Sequence, residues 1–219
     1  MQHFAGWLRL IAVIVCLSAL AGTARAQVAG KDFQAVNPAQ PTETGNKVEV
    51  IEFFSYACPH CSSLQAPLAT WLKRKPADVE FRRIPAIFQE NWVPFARIYY
   101  TLEAMGLVDK LHHDVFAAVH EQKVRLQETK VLFDWVATKG VDKQKFADTY
   151  NSFSVQSRTQ RAVDLTRRYA IEFTPAVVVN GRHLTGPSMT STGNTVDYDR
   201  FFKVLDQLIA LARKTRSGK

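Results

Sequence analysis

Cysteine is scarce in this sequence, with three in 219 residues. Cys16 lies in the N-terminal apolar run, which leaves Cys58 and Cys61. A disulfide stabilises mainly by closing a long loop, and a Cys58–Cys61 loop is almost the shortest possible. The pair is a poor staple, so chemistry is the better reason for it. Metal-ligand spacing is lacking too. His112, His113, His120 and His183 lie far along the chain from both cysteines, which gives no set of four zinc ligands at usable spacing. No metal is expected.

A membrane-length apolar run is also missing. Leu10–Leu20 is apolar for about eleven residues, where a spanning helix needs roughly 20. A weakly basic lead precedes it, and Ala24-Arg25-Ala26 supplies a small-x-small cleavage pattern. Residues 1–26 read as a cleaved secretory signal rather than an uncleaved anchor, with the mature chain starting near Gln27. Ile14-Val15 are not the small residues that precede a lipidated cysteine. The net charge of +8 is spread over Lys73-Arg74-Lys75, Arg82-Arg83, Arg167-Arg168 and Arg213-Lys214. These clusters lack interleaved aromatics and read as solvated surface, so no nucleic-acid partner is expected.

What is present is a hydrophobic content of 47%, enough for a real core. Lys47–Phe54 predicts a strand covered on both faces. A helix follows from Pro59, whose missing N–H suits a first turn. Cys58 then sits at a strand-to-helix junction, where free N–H groups and the positive helix end favour thiolate over thiol. Pro67 is expected to kink or interrupt this helix. Asp78–Ile84 predicts a second strand. From Phe88 the texture changes to five helical segments: Trp92–Met105, Val108–Glu121, Gln127–Lys139, Asp142–Tyr150 and Ser154–Tyr169. Strand character returns at Pro175–Val179, followed by the hairpin signal Asn180-Gly181 and a partner strand Arg182–Leu184. Thr185–Asn194 reads as a loop and Asp197–Ala212 as an amphipathic helix. Before Lys47, only Phe33–Val36 hints at an edge strand.

Two residues near the cysteines carry open alternatives. Glu52 interrupts an apolar strand, where a carboxylate is costly to bury. It either faces solvent at an edge or, buried, has a raised pKa and can relay a proton to or from Cys61. His60 is either a solvated first-turn side chain or a donor that tunes the sulfur, and its place between two cysteines favours tuning.

Strand, C-x-x-C, helix and strand, then X-Pro, a hairpin and a final helix, is the order of the thioredoxin fold. With EFFSYACPHC at Glu52–Cys61, the leader and the helical insertion, the chain closely resembles the DsbA family of periplasmic thiol:disulfide interchange proteins of Gram-negative bacteria. The resemblance implies an α/β thioredoxin fold with an inserted all-α subdomain. Residues 27–87 and 162–219 would form the thioredoxin-like part and 88–161 the insertion, which could shape a groove over the site. It implies Cys58 as the exposed nucleophile, Cys61 as its buried partner, Pro59 and His60 as the tuning dipeptide, and Glu52 as the buried acid. Pro175 would lie cis beside the disulfide, with the Thr174 backbone offered to an extended substrate. Thr174 departs from the commonest family pattern, which has Val there.

DsbA is itself a standard example of a low-pKa cysteine and an oxidising couple, so both properties are implied by the family. The implied activity is oxidation of newly exported proteins with free cysteines, by a monomer in the periplasm. It needs no cofactor beyond the Cys58–Cys61 disulfide, and an inner-membrane, quinone-linked partner of the DsbB type would reoxidise it. A disulfide isomerase or reductase, and a secreted binding protein, are the alternatives. Gln27–Asn46 is too short for the separate dimerisation domain that isomerases of this compartment carry.

Overall fold

A computed structural model describes residues 30–191, 193 and 195–217; the expected signal segment lies outside them. The described chain opens with a short strand, β1 (Gln34–Ala35), and continues into β2 (Val48–Phe54), buried along its whole length. Helix α1 (Pro59–Arg74) and strand β3 (Val79–Pro85) follow. A single 3-10 turn at Glu90–Trp92 leads into α2 (Val93–Ala104), α3 (Val108–His120), α4 (Thr129–Thr138), α5 (Lys143–Tyr150) and α6 (Phe153–Arg168). The chain then returns to the sheet as β4 (Ala176–Val179) and β5 (His183–Thr185), and ends in α7 (Pro187–Thr190) and α8 (Tyr198–Ser217).

The strands form one mixed sheet in the order β1-β5-β4-β2-β3. β2 pairs parallel with β3 and antiparallel with β4, with Glu52 opposite Arg83 and Phe53 opposite Ala176. Alternate side chains of a strand point to opposite faces, and β2 feeds two cores in this way. Val48 and Val50 join Leu64, Leu68, Trp71 and the α8 residues Phe201, Leu205 and Leu208. Ile51 and Phe53 join the helical insertion, among them Phe95, Ile98, Leu102 and Phe116. The near-continuous apolar run of β2 is thus explained by cover on both sides.

Two local expectations change, and a third narrows, since Pro67 does not interrupt its helix, α1. Proline costs about 3 kcal/mol in a helix interior, but Leu64, Leu68 and Trp71 on either side are each at most 1% exposed. Burying such side chains is worth about 1.5–3 kcal/mol apiece, which outweighs that cost. The expected loop after β5 contains the one-turn helix α7, begun by Pro187. The Arg82-Arg83 pair is not solvated surface: both side chains bond carboxylates that are at most 1% exposed, Glu49 and Glu52. The hairpin forms as predicted, with Asn180 and Gly181 both at positive φ. Gly181 has a further reason to be glycine, since a Cβ there would lie 2.0 Å from the Gln40 carbonyl oxygen. Among the described residues no helix is long and apolar enough to cross a membrane.

Candidate active site

Cys58 is the N-cap of α1, with extended backbone, and its sulfur accepts the Cys61 N–H at 3.4 Å. Pro59 takes the first helical position, as its lack of an N–H permits. The sequence-based expectation of an exposed nucleophile needs correction. Cys58 is only 7% exposed and Cys61 is fully covered, because the segment entering β4 lies over the helix start. There the Thr174 carbonyl accepts from the Cys58 thiol at 3.4 Å. The little exposure that remains to the pair belongs to Cys58.

The two sulfurs are electrostatically unlike. The Cys58 thiol is lowered from 9.0 to about 6, chiefly by a hydrogen bond from the Cys61 side chain. Burial opposes this, while the Thr174 side chain and the backbone N–H groups of Cys61 and His60 assist it. Cys61 is pushed well above the ordinary thiol range by burial first and by its bond to Cys58 second. In the dithiol form, charge collects on Cys58 and the proton on Cys61. A thiolate is a nucleophile and a good leaving group, so the pair can exchange disulfides from the Cys58 side. Among the described residues no cluster of three or more His, Cys, Asp or Glu side chains is placed to hold a metal ion.

The other expected residues fall into place unevenly. The Thr174-Pro175 bond is cis, and the pairing of Phe53 with Ala176 brings this turn to the cysteines. Thr174 acts on Cys58 in two ways: its carbonyl accepts from the thiol, and its side chain favours the thiolate. Thr174→Val removes only the second, so the Cys58 titration midpoint is expected to rise by about one unit. Ultraviolet thiolate absorbance against pH reads this directly. His60 contributes its backbone N–H, while its side chain is exposed.

Glu52 is fully buried, and its Oε2 accepts from Arg83 Nε at 2.9 Å. Burial raises its pKa against the pull of Arg83, and the thiol pair lies within electrostatic reach. The edge-facing alternative for Glu52 is thereby excluded.

Sequence reasoning missed several neighbours. Arg83 is found only through the β2–β3 register. Gln65 and His112, both buried, approach the pair from α1 and α3. Ala57, next to Cys58, also lines a cavity of about 310 Å³ with the apolar Trp92, Phe95, Val119 and Val124 and the polar Asn91, Lys123, Arg125 and Gln127. Gly186 packs under the Pro175 turn, where a Cβ would meet the Phe173 ring at 2.7 Å and the Pro175 carbonyl oxygen at 2.8 Å. Gly186→Ala is expected to cost about 1–3 kcal/mol by overpacking and to slow alkylation of Cys58. Denaturant melts and alkylation rates on one sample check both effects.

Comparison with known proteins agrees with this geometry. The family model of the DSBA-like thioredoxin domain matches residues 77–195, a span that begins beyond the cysteines. The thiol:disulfide interchange protein DsbA of Bordetella parapertussis is 38% identical over 205 residues, covering 94% of this chain and 96% of that protein. DsbA of Burkholderia cepacia is 39% identical over 188 residues, covering 84% and 89%. The crystal structure of Pseudomonas aeruginosa DsbA superposes with a TM-score of 0.82 at 33% identity, over 89% of this chain and 98% of that one. Likeness of this extent in sequence and backbone makes the chain a member of the DsbA family of thiol:disulfide interchange proteins, a disulfide-forming oxidoreductase.

Proposed function

We propose that the protein is a periplasmic dithiol oxidase that passes its Cys58–Cys61 disulfide to newly exported proteins. The observation that carries this reading is the asymmetry of the pair, with a Cys58 thiol held at about 6 and a Cys61 thiol pushed up. A substrate thiolate attacks the Cys58 sulfur; a mixed disulfide forms, the Cys58–Cys61 bond breaks, and Cys61 leaves and takes up a proton. A second substrate thiolate then attacks the substrate's own sulfur in that mixed disulfide and expels Cys58 as a thiolate. The substrate loses two electrons and the protein gains them. Stabilising the thiolate of the reduced protein drives this direction, because it stabilises the product of the transfer.

Glu52 is the group we assign to exchange a proton with Cys61, since it is buried with a raised pKa close by. Pro59 and His60 tune Cys58 through the helix start, and Thr174 and Pro175 form the wall that faces an extended substrate segment. The groove beside Ala57, with its apolar Trp92, Phe95, Val119 and Val124, suits the hydrophobic segments of unfolded clients. A DsbB-type, quinone-linked membrane protein would return the dithiol to the disulfide, and the oxidase would act as a monomer. On the same reading, 27–87 and 162–219 form the thioredoxin-like part and 88–161 the insertion, with α6 packing on both α2 and β3.

Equilibration with a glutathione buffer tests the direction. A potential more oxidising than about −200 mV is expected. A value near the roughly −270 mV of thioredoxin would turn the reading to a reductase.

A further inference from the structure

Helix α3 of the insertion meets α1, the helix that carries the redox pair, through His112 and Gln65. The imidazole is 8% exposed and stands edge-on to Phe54 and Phe116, each with ring centroids 5.2 Å away, and beside Tyr56. Inside this apolar box both ring nitrogens are engaged. Nδ1 lies 2.7 Å from Tyr56 Oη, and Nε2 lies 3.1 Å from Gln65 Oε1. A carboxamide oxygen only accepts, so the proton sits on Nε2, and the bare Nδ1 accepts from the Tyr56 hydroxyl. Burial, aided by Arg83 and His113, holds the ring in its neutral form. One tautomer therefore satisfies every partner.

Gln65 lies one helical turn beyond Cys61. With Oε1 taken by His112, its amide nitrogen faces the other way and donates to the Cys61 carbonyl at 2.9 Å. The same amide favours the charged form of Glu52, whose Oε1 has no close hydrogen-bond partner among the described residues. Reversing the amide would aim its oxygen at the Cys61 carbonyl, oxygen against oxygen. The same helix also holds Tyr56 at its other end, where His120 Nε2 lies 2.8 Å from the Tyr56 carbonyl oxygen.

We propose that His112 is a positioning residue for the redox pair: its Nε2–H fixes the Gln65 amide, so that its nitrogen, and not its oxygen, is the end turned to the Cys61 carbonyl on the side of the buried acid. The inserted subdomain thus governs proton exchange at the cysteines as well as covering them. The inference rests on the dithiol-oxidase reading only for the use made of the Glu52 proton. The groups that face Glu52 are Arg83 from β3, Cys58, Cys61 and Gln65 at α1, Tyr56 before it, and Tyr99 from α2.

The experiment follows the side-chain carboxyl signal of Glu52 in the reduced protein, with carbon-13-labelled glutamate, across pH; Glu52→Gln assigns the signal. His112→Phe fills the aromatic box without a donor and is expected to raise the proton affinity of Glu52 about tenfold. His112→Gln retains a donor near the Nε2 position and is expected to restore the midpoint to within about threefold. Gln65→Leu should raise it like His112→Phe, and the double variant should add nothing further, the mark of one chain of contacts. A Glu52 midpoint unmoved in His112→Phe, with only the melting temperature lowered, overturns the proposal. If His112→Phe does not fold, an unmoved midpoint in Gln65→Leu does so. Dithiol-peptide oxidation by the native protein is run alongside: its absence would count against the oxidase reading and leave the Glu52 titration to decide this one.

Discussion

Cys58→Ser is expected to lower dithiol-peptide oxidation by at least about a thousandfold, to the background of the uncatalysed reaction. No other thiol among the described residues can replace it, since Cys61 is fully covered and its pKa is pushed up by burial. Cys61→Ser has a different expected outcome. The Cys58 thiolate survives, because a serine hydroxyl still donates to it where the Cys61 thiol did. The Cys58 thiolate of this variant can attack a client disulfide, expelling one client sulfur as thiolate, and the mixed disulfide so formed has no Cys61 sulfur to resolve it. Covalent complexes should accumulate and be visible on non-reducing gels and by mass spectrometry. Cys61→Ala removes the donor as well, so its Cys58 should titrate higher than in Cys61→Ser. No trapping in Cys61→Ser, or trapping through the remaining Cys61 in Cys58→Ser, would overturn the assigned roles.

The second large effect is a difference in stability between redox forms that depends on pH. The Cys58 thiol stands at about 6 in the folded protein and at 9.0 without its partners. A depressed pKa gives stability that is present above the unfolded value and lost as pH falls through the folded one. For reduced protein this contribution is absent below about pH 6, about 1.4 kcal/mol at pH 7, and roughly 4 kcal/mol by pH 9. Above that, Cys61 works in the opposite sense, because burial raises its pKa. The oxidised form has neither thiol, so the reduced form should melt higher, by a margin that widens from pH 6 to pH 9. At about 30 mV for each 1.4 kcal/mol, the same energy appears as oxidising power. Parallel melts of the two forms check this, and coincident melting across the whole range would sink the oxidant reading.

Much of this architecture is written in local patterns. The apolar run of β2, the proline after Cys58 and the glycines that end the helices fix element positions to within about two residues. The placement of Cys58 at a helix start needs nothing more than Pro59. What local pattern cannot supply is register. Arg83 looks like half of a surface basic cluster until β3 is laid against β2, whereupon it stands opposite Glu52. Thr174 reaches Cys58 only through the β2–β4 pairing, and the family resemblance, not the residues, pointed to it. His60 shows the limit of a motif: its position was legible, while the direction of its side chain was not. His112 gave no signal, because a histidine on an apolar helix face is identical in sequence whether it pairs with polar groups or merely packs.

The ladder between β2 and β4 has one further consequence. It joins a strand from the first third of the described chain to one laid down after the whole helical insertion, and the Cys58–Thr174 contact spans 116 positions. On the periplasmic reading proposed above, a chain still being exported, with its C-terminal part not yet across the membrane, has no Thr174 wall and no closed sheet around Glu52. Its cysteines are those of a flexible segment, with thiols near their ordinary range. The lowered Cys58 thiol arrives only with the last strands, so the oxidising power it supplies is coupled to completion of the protein's own fold.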